Sequence, residues 1–389
     1  MLTVNRFFYM LVMFPAYALM ALGLLANPAH AQKLQPIDTL SAVIFTYHHI
    51  GDDLMPSANL LQEQFEAHIN ELTSGAYHVL PLTEIVEKLK AQTPLPDPTI
   101  GISFDGAHRN TLNYAAPLLL KAGIPFTVFI STDAVDAQSD DTLHWDDLRK
   151  LAKQNLVTIA LHPASYKKLH DKDEAEIARQ INNAVARYRA QLGHEPELFA
   201  YPYGELSLIY KRVVERAGFK AAFGQQSGVA YSGADMFMLP RFSMTEPYGS
   251  IERFRMTAMA LPLPVSDMSP QDPYVTDQST LDIGFTVDEP FIGNIKSLSC
   301  FASTAEKADL QIIGKNRVEI RLKTMFEDER GRINCTMPGP IDEVSEQTRW
   351  RWFGMMLTVA VPYADYEPAG HEDSDDSINL VNQLQPSVE

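Results

Sequence analysis

From Ala42 to Phe223 the hydrophobic pattern alternates between two periods. Short, nearly unbroken apolar runs at Val43–Tyr47, Thr99–Phe104, Pro125–Ile130, Val157–Leu161, Leu198–Tyr201 and Lys220–Phe223 predict buried strands. The segments between them carry apolar residues at helical spacing. Gln64–Leu72 places Phe65, Ile69 and Leu72 on one face, and Glu84–Leu89 follows Thr83, a candidate N-cap. Leu112–Lys121 stops at Gly123, Trp145–Lys153 and Leu206–Ala217 are shorter, and Asp173–Leu192 aligns Ile177, Ile181, Ala184, Val185 and Tyr188. Repeated strand–helix units predict a parallel sheet covered by helices. Polar side chains collect just after the strands, at His48, Asp105, His162 and Tyr203. In a (β/α) barrel that end is the functional one. The alternation alone fits an open, doubly wound sheet equally well.

The texture changes at Leu261–Tyr274, where Pro262, Pro264, Pro270 and Pro273 interrupt any helical pattern. We therefore expect residues 32–262 to form the first domain and 263–277 a linker. Residues 278–362 should form a small all-β sandwich, with strands at Asp282–Val287, Leu298–Ala302, Asp309–Ile313, Arg317–Lys323 and Trp350–Val361. Trp350 and Trp352 flank Arg351 and so share one face of a strand. They would either stack on sugar rings or fill the sandwich core, and the core is the expectation. Residues 363–389 hold seven acids and no Lys or Arg, the composition of a disordered tail.

The first 31 residues read as a secretory signal peptide. Arg6 precedes an apolar run from Phe7 to Leu25, Asn27-Pro28 breaks it, and Ala29-His30-Ala31 is a cleavage pattern before Gln32. An uncleaved anchor helix is the alternative, because the run approaches the roughly 20 residues that span a bilayer. Export implies a periplasmic or secreted protein. The formal net charge of −17 argues against nucleic acid and against docking to anionic membranes once the signal is gone, and suits a neutral glycan. The chain's two cysteines, Cys300 and Cys335, would most simply form one disulfide in an oxidising compartment, with two buried thiols as the alternative.

Residues 40–245 resemble the polysaccharide deacetylases (the NodB-homology fold, carbohydrate esterase family 4). Ile102-Ser103-Phe104-Asp105-Gly106-Ala107 resembles the first family motif, and Leu161-His162-Pro163-Ala164-Ser165-Tyr166 the second. Asn113–Leu119 leading through Gly123 to Pro125–Phe129 is similar to the family's helix, stop and strand. His144-Trp145-Asp146-Asp147-Leu148 is similar to its segment before the histidine motif, and Phe199–Gly204 to its third motif. Tyr47-His48 resembles the start of the exopolysaccharide enzymes, and Leu239-Pro240-Arg241 the segment that closes their catalytic domain. The resemblance implies a distorted (β/α) barrel followed by the β-sandwich. It also implies hydrolysis of N-acetyl groups on N-acetylglucosamine-containing glycans, with a divalent, zinc-like metal.

In such chemistry a metal activates water and stabilises the oxyanion, a carboxylate takes the water proton, and a histidine protonates the leaving amine. By resemblance Asp105 is the base, His48 the acid and His162 a metal ligand, while Tyr203, Tyr201, Trp145 and Arg241 bind substrate. Two expected ligands are replaced, by Gly106 and by Tyr166. A zinc site needs three protein ligands, and Tyr166 could bind only as a phenolate. Asp105 and His108 are the substitutes within reach. Two readings follow: an impaired deacetylase, or a glycan-binding pseudoenzyme of the cell envelope with no cofactor.

Overall fold

The computed structural model describes residues 37–52, 57–304, 307–342 and 345–360. The expected signal peptide and acidic tail lie outside the described residues. Among those residues no helix is long and apolar enough to cross a membrane.

Six parallel strands form the main run of the first, nine-stranded sheet: β1 (Ser41–Tyr47), β2 (Thr99–Asp105), β3 (Phe126–Ile130), β4 (Val157–Leu161), β5 (Leu198–Ala200) and β6 (Ala221–Phe223), hydrogen-bonded in that order. β1 and β2 are buried along their whole length. Helices cover the outer face and side chains fill the inner one, so these strands read as apolar runs without alternation. The helices are α1 (Gln62–Ser74), α2 (Leu82–Lys90), α3 (Arg109–Ala122), α4 (Thr132–Asp136), α5 (Trp145–Ala152), α6 (Glu174–Leu192), α7 (Leu208–Arg216) and α8 (Ile251–Ala258). Asp173 caps α6 by accepting the Glu176 amide at 2.8 Å. Pro81 occupies the N-cap of α2, so Thr83 sits within its first turn and does not cap it.

The sheet curls into a half-barrel, and one short segment joins its edges. Leu239 bridges to Phe223 of β6, and β8 (Phe242–Ser243) pairs in parallel with β1. β7 (Ala230–Tyr231) adds an antiparallel partner to β1. Arg241 therefore stands between the two edges of the half-barrel.

The second part is a two-sheet sandwich. One sheet joins β9 (Leu261–Pro262), β11 (Tyr274–Val275), β13 (Ser299–Ala302), β16 (Arg330–Ile341) and β17 (Thr348–Val359). The other joins β10 (Val265–Ser269), β12 (Ile283–Val287), β14 (Asp309–Ile313) and β15 (Arg317–Arg321). Phe285, Val318, Ile333 and Leu357 lie in the core between them. Cys300 and Cys335 are register partners on β13 and β16 and form a disulfide across the ladder.

The proline-rich stretch is not a linker. β9 and β11 both pair in parallel with β17, and β10 pairs with β12. Its prolines sit at strand ends and edges, where no ladder amide is needed. The described residues of both parts accordingly belong to one compact unit. Arg351 binds Asp38 at 2.8 and 3.0 Å, and Arg349 binds Asp97 at 2.6 and 2.9 Å. Gly354 lies so close to the barrel that an added Cβ would sit 2.0 Å from the Ser227 carbonyl oxygen. Trp352 does not fill the sandwich core. It belongs to the barrel core and meets Phe242 edge-on at 5.1 Å, because β17 turns that face toward the barrel. Trp350 is half-buried.

Candidate active site

The site is built at the C-terminal ends of β1, β2, β4, β5 and β6. Asp105, the last residue of β2, is fully buried and faces Arg241. The guanidinium donates to both carboxylate oxygens, at 2.6 and 2.7 Å. It also donates to Gly224 O at 2.9 Å and to the Thr46 and Ser103 hydroxyls at 3.2 Å. Burial alone would raise the Asp105 pKa, but the charges of Arg241 and His162 outweigh it and hold the carboxyl well below its ordinary value. Arg241 was expected to bind substrate. With its side chain fully buried, it instead fixes Asp105 from beneath.

His48 follows β1, and its Nε2 lies 3.8 Å from Asp105 Oδ2. Gln225, just beyond β6, has its amide nitrogen 3.1 Å from His48 Nε2 and 3.4 Å from Asp105 Oδ2. Burial lowers the His48 pKa to about 4, against the pull of Asp105. Gln225 was not anticipated. Its signal was a Gln225-Gln226 pair directly after a barrel strand, at the functional end.

His162 follows β4 and is completely buried. Its Nδ1 donates to the Ala200 carbonyl at 2.8 Å, which leaves the lone pair on Nε2, a buried atom without a partner. Tyr166 meets the His162 ring edge-on at 4.8 Å and the Tyr203 ring at 5.0 Å. A backbone hydrogen bond joins the Tyr166 hydroxyl to Tyr203, and burial raises the phenol above its ordinary pKa. Tyr166 is therefore a neutral phenol that braces the Tyr203 loop.

Gly106 has φ +91°, and a Cβ built there would lie 2.4 Å from Nε2 of His108. The His108 imidazole thus fills the space beside the position where the family carries an aspartate. Its ring lies 4.0 Å from that of His49, tilted by 37°, and burial together with His49 lowers its pKa to about 3.

Of the remaining expected residues, only Tyr203 stays half-exposed beside the site. Tyr201 is fully buried and donates its hydroxyl to Phe237 O at 3.0 Å. Trp145 is buried under α6, with Nε1 bonded to Asp136 at 2.6 Å. Both side chains are buried and closed to a substrate. Tyr201 and Tyr203 both lie beyond β5, and the left-handed turn at Tyr203 (φ +57°) separates two side chains that an i, i+2 spacing would put on one face of a strand.

The polysaccharide deacetylase family model matches residues 92–222, which run from before β2 into β6. A poly-β-1,6-N-acetyl-D-glucosamine N-deacetylase of Staphylococcus aureus (strain MSSA476) is 24% identical over 213 residues, covering 52% of this chain and 73% of that protein. Residues 92–222 thus form a polysaccharide deacetylase domain. Among solved structures, the Streptococcus pyogenes deacetylase PplD in complex with acetate superposes with a TM-score of 0.53 at 17% identity, covering 57% of this chain and 99% of that one. IcaB from Ammonifex degensii gives 0.51 at 20% identity, covering 57% and 97%. These two likenesses establish the deacetylase fold of the barrel.

The divalent metal implied by the deacetylase family can be tested against the side chains. Among the described residues, donor atoms of three His, Cys, Asp or Glu residues come within 4.8 Å of one another only at His170, Glu205 and Glu329. No such trio surrounds His162, and both oxygens of Asp105 are taken by Arg241. The residues around Asp105 do not fit a three-ligand centre. At His170 the neighbouring charges are balanced without an ion: Lys168 pairs with Glu329 and, at 3.3 Å, with Glu205, and Arg330 stands 3.7 Å from Glu205.

Proposed function

We propose that this deacetylase domain binds an N-acetylglucosamine polymer, of the β-1,6-linked type named for its S. aureus relative, and that its hydrolytic power is impaired. The observation that carries the reading is the pairing of Asp105 with Arg241 while Gly106 and Tyr166 offer no ligand. A carboxylate whose two oxygens both accept from a guanidinium is a weak proton acceptor. The groove keeps what binding requires. The half-exposed Tyr203 ring offers a face to a sugar, and His48 and Gln225 offer polar atoms to an N-acetyl group. Titrating purified protein with β-1,6-linked N-acetylglucosamine oligomers, while assaying acetate release and bound metal, tests the reading. Saturable binding without acetate is expected.

One observation favours a second reading, retained hydrolysis: Nε2 of His162 is buried, unpartnered and available to a metal. Stoichiometric zinc after dialysis, acetate release, and loss of both in His162→Ala would establish it. We also propose that the protein acts after export. The mass of the exported protein should place its N-terminus at Gln32 or within a residue or two; a full-length mass in the membrane fraction would instead mean an anchor.

A further inference from the structure

The loop after β5 holds Tyr203 at φ +57°, ψ 7°, a left-handed conformation that costs a residue with a side chain about 1–2 kcal/mol. Something must hold it there. Tyr166 contacts it through its ring and a backbone hydrogen bond. Two cations also lie against the ring: Lys168 Nζ 5.6 Å and the Arg330 guanidinium 5.9 Å from its centroid. Arg330 belongs to β16 of the sandwich, not to the barrel. Both cations are gathered by Glu205, a fully buried carboxylate two residues beyond Tyr203, at 3.3 and 3.7 Å. His170 approaches the same carboxylate at 3.2 Å. The sandwich thus reaches across to the motif that borders the sugar groove.

We propose that Arg330 is a positioning residue of the glycan site: anchored on Glu205, it and Lys168 hold the Tyr203 ring as a platform for a sugar ring, which makes the β-sandwich a working part of the groove. The glycan half of this inference rests on the reading above; the positioning half does not. Lys168 and Arg330 are balanced by Glu205 and Glu329, so the cluster adds no net charge to the groove. Its contribution is orientation, and it suits a neutral N-acetylated polymer.

Two measurements test the proposal. In ligand-free protein, Arg330→Gln keeps much of the stem and removes the charge. Hydrogen exchange at the Gly204 and Glu205 amides, which close the turn onto Tyr201 O and Pro202 O, should then accelerate by about tenfold, the scale of one lost cation–π contact. Arg330→Lys should restore most of the protection. Unchanged exchange in Arg330→Gln overturns the positioning role whether or not any glycan binds. In calorimetric titration with the β-1,6 oligomer, Arg330→Gln should weaken binding by about tenfold, and the double variant with Tyr203→Ala should bind no more weakly than Tyr203→Ala alone. Additive losses would mean that Arg330 acts independently of Tyr203. Wild-type protein that binds no oligomer, yet shows the exchange effect, would refute the glycan reading and leave Arg330 as the residue that positions Tyr203.

Discussion

Introducing a carboxylate at position 106 is the sharpest test of how the site is built. In Gly106→Asp the backbone must keep φ +91° with a side chain attached, a strain of about 1–3 kcal/mol. The new Cβ would also meet His108 Nε2 at 2.4 Å, so the imidazole must leave its contact with the His49 ring. That contact is worth about 0.5–1.5 kcal/mol. The variant should therefore lose about 2–4 kcal/mol in urea denaturation and still bind no metal, because Tyr166 remains. Adding Tyr166→His supplies the third imidazole or carboxylate around His162 but removes the brace on Tyr203. Adding His108→Ala clears the space beside position 106. Only the triple variant should respond to zinc: at a concentration 100 times its Kd the metal would stabilise it by about 2.7 kcal/mol, visible as a rise in Tm. If Gly106→Asp alone is as stable as wild type, the packing argument is wrong. If wild-type protein retains stoichiometric zinc, the donor geometry around Asp105 has been misjudged.

Three further outcomes are expected. Arg241→Met should cost about 3–5 kcal/mol in denaturation experiments, because it strands the buried Asp105 carboxylate; combining it with Asp105→Leu should recover most of the loss, and a variant pair with additive losses would refute the ion-pair account. Reduction of Cys300–Cys335, which closes a 35-residue separation, should cost about 3–4 kcal/mol in the loop-entropy model; alkylation of both thiols without a reductant would show that the bond does not form. His68 is buried and neutral, its pKa lowered to about 4 by burial, partly offset by its bond to Gly249 O. Its contribution is fully present above the unfolded value near 6.5 and is lost as pH falls toward 4, at up to ~1.4 kcal/mol per pH unit. A flat stability profile across that window would contradict it.

The parallel sheet with its covering helices was legible in the sequence. Unbroken apolar runs separated by helical periods specify a buried parallel sheet, since strands covered on both faces have no polar side to show. The order of Asp105, His162 and Tyr203 after those strands specified the family and one end of the barrel. The cysteine pair was legible because only one bond was available to two thiols. Side-chain direction and long-range pairing were not legible. Arg241 is 136 residues from Asp105, and only closure of the half-barrel turns it inward. Tyr201 and Trp145 lie in family motifs, yet packing against Tyr210 and under α6 takes them out of the groove. β16 was hidden by Gly331, Pro338 and Gly339, which weaken local strand propensity but are tolerated because β17 pairs along nearly its whole length. The proline-rich stretch was read as a linker for the same reason: local chemistry sees breakers, whereas edge pairing to β17 is a tertiary event. His49 against His108, and Arg330 of the sandwich against Tyr203 of the barrel, are contacts between segments with no common periodicity. Only the folded chain brings them together.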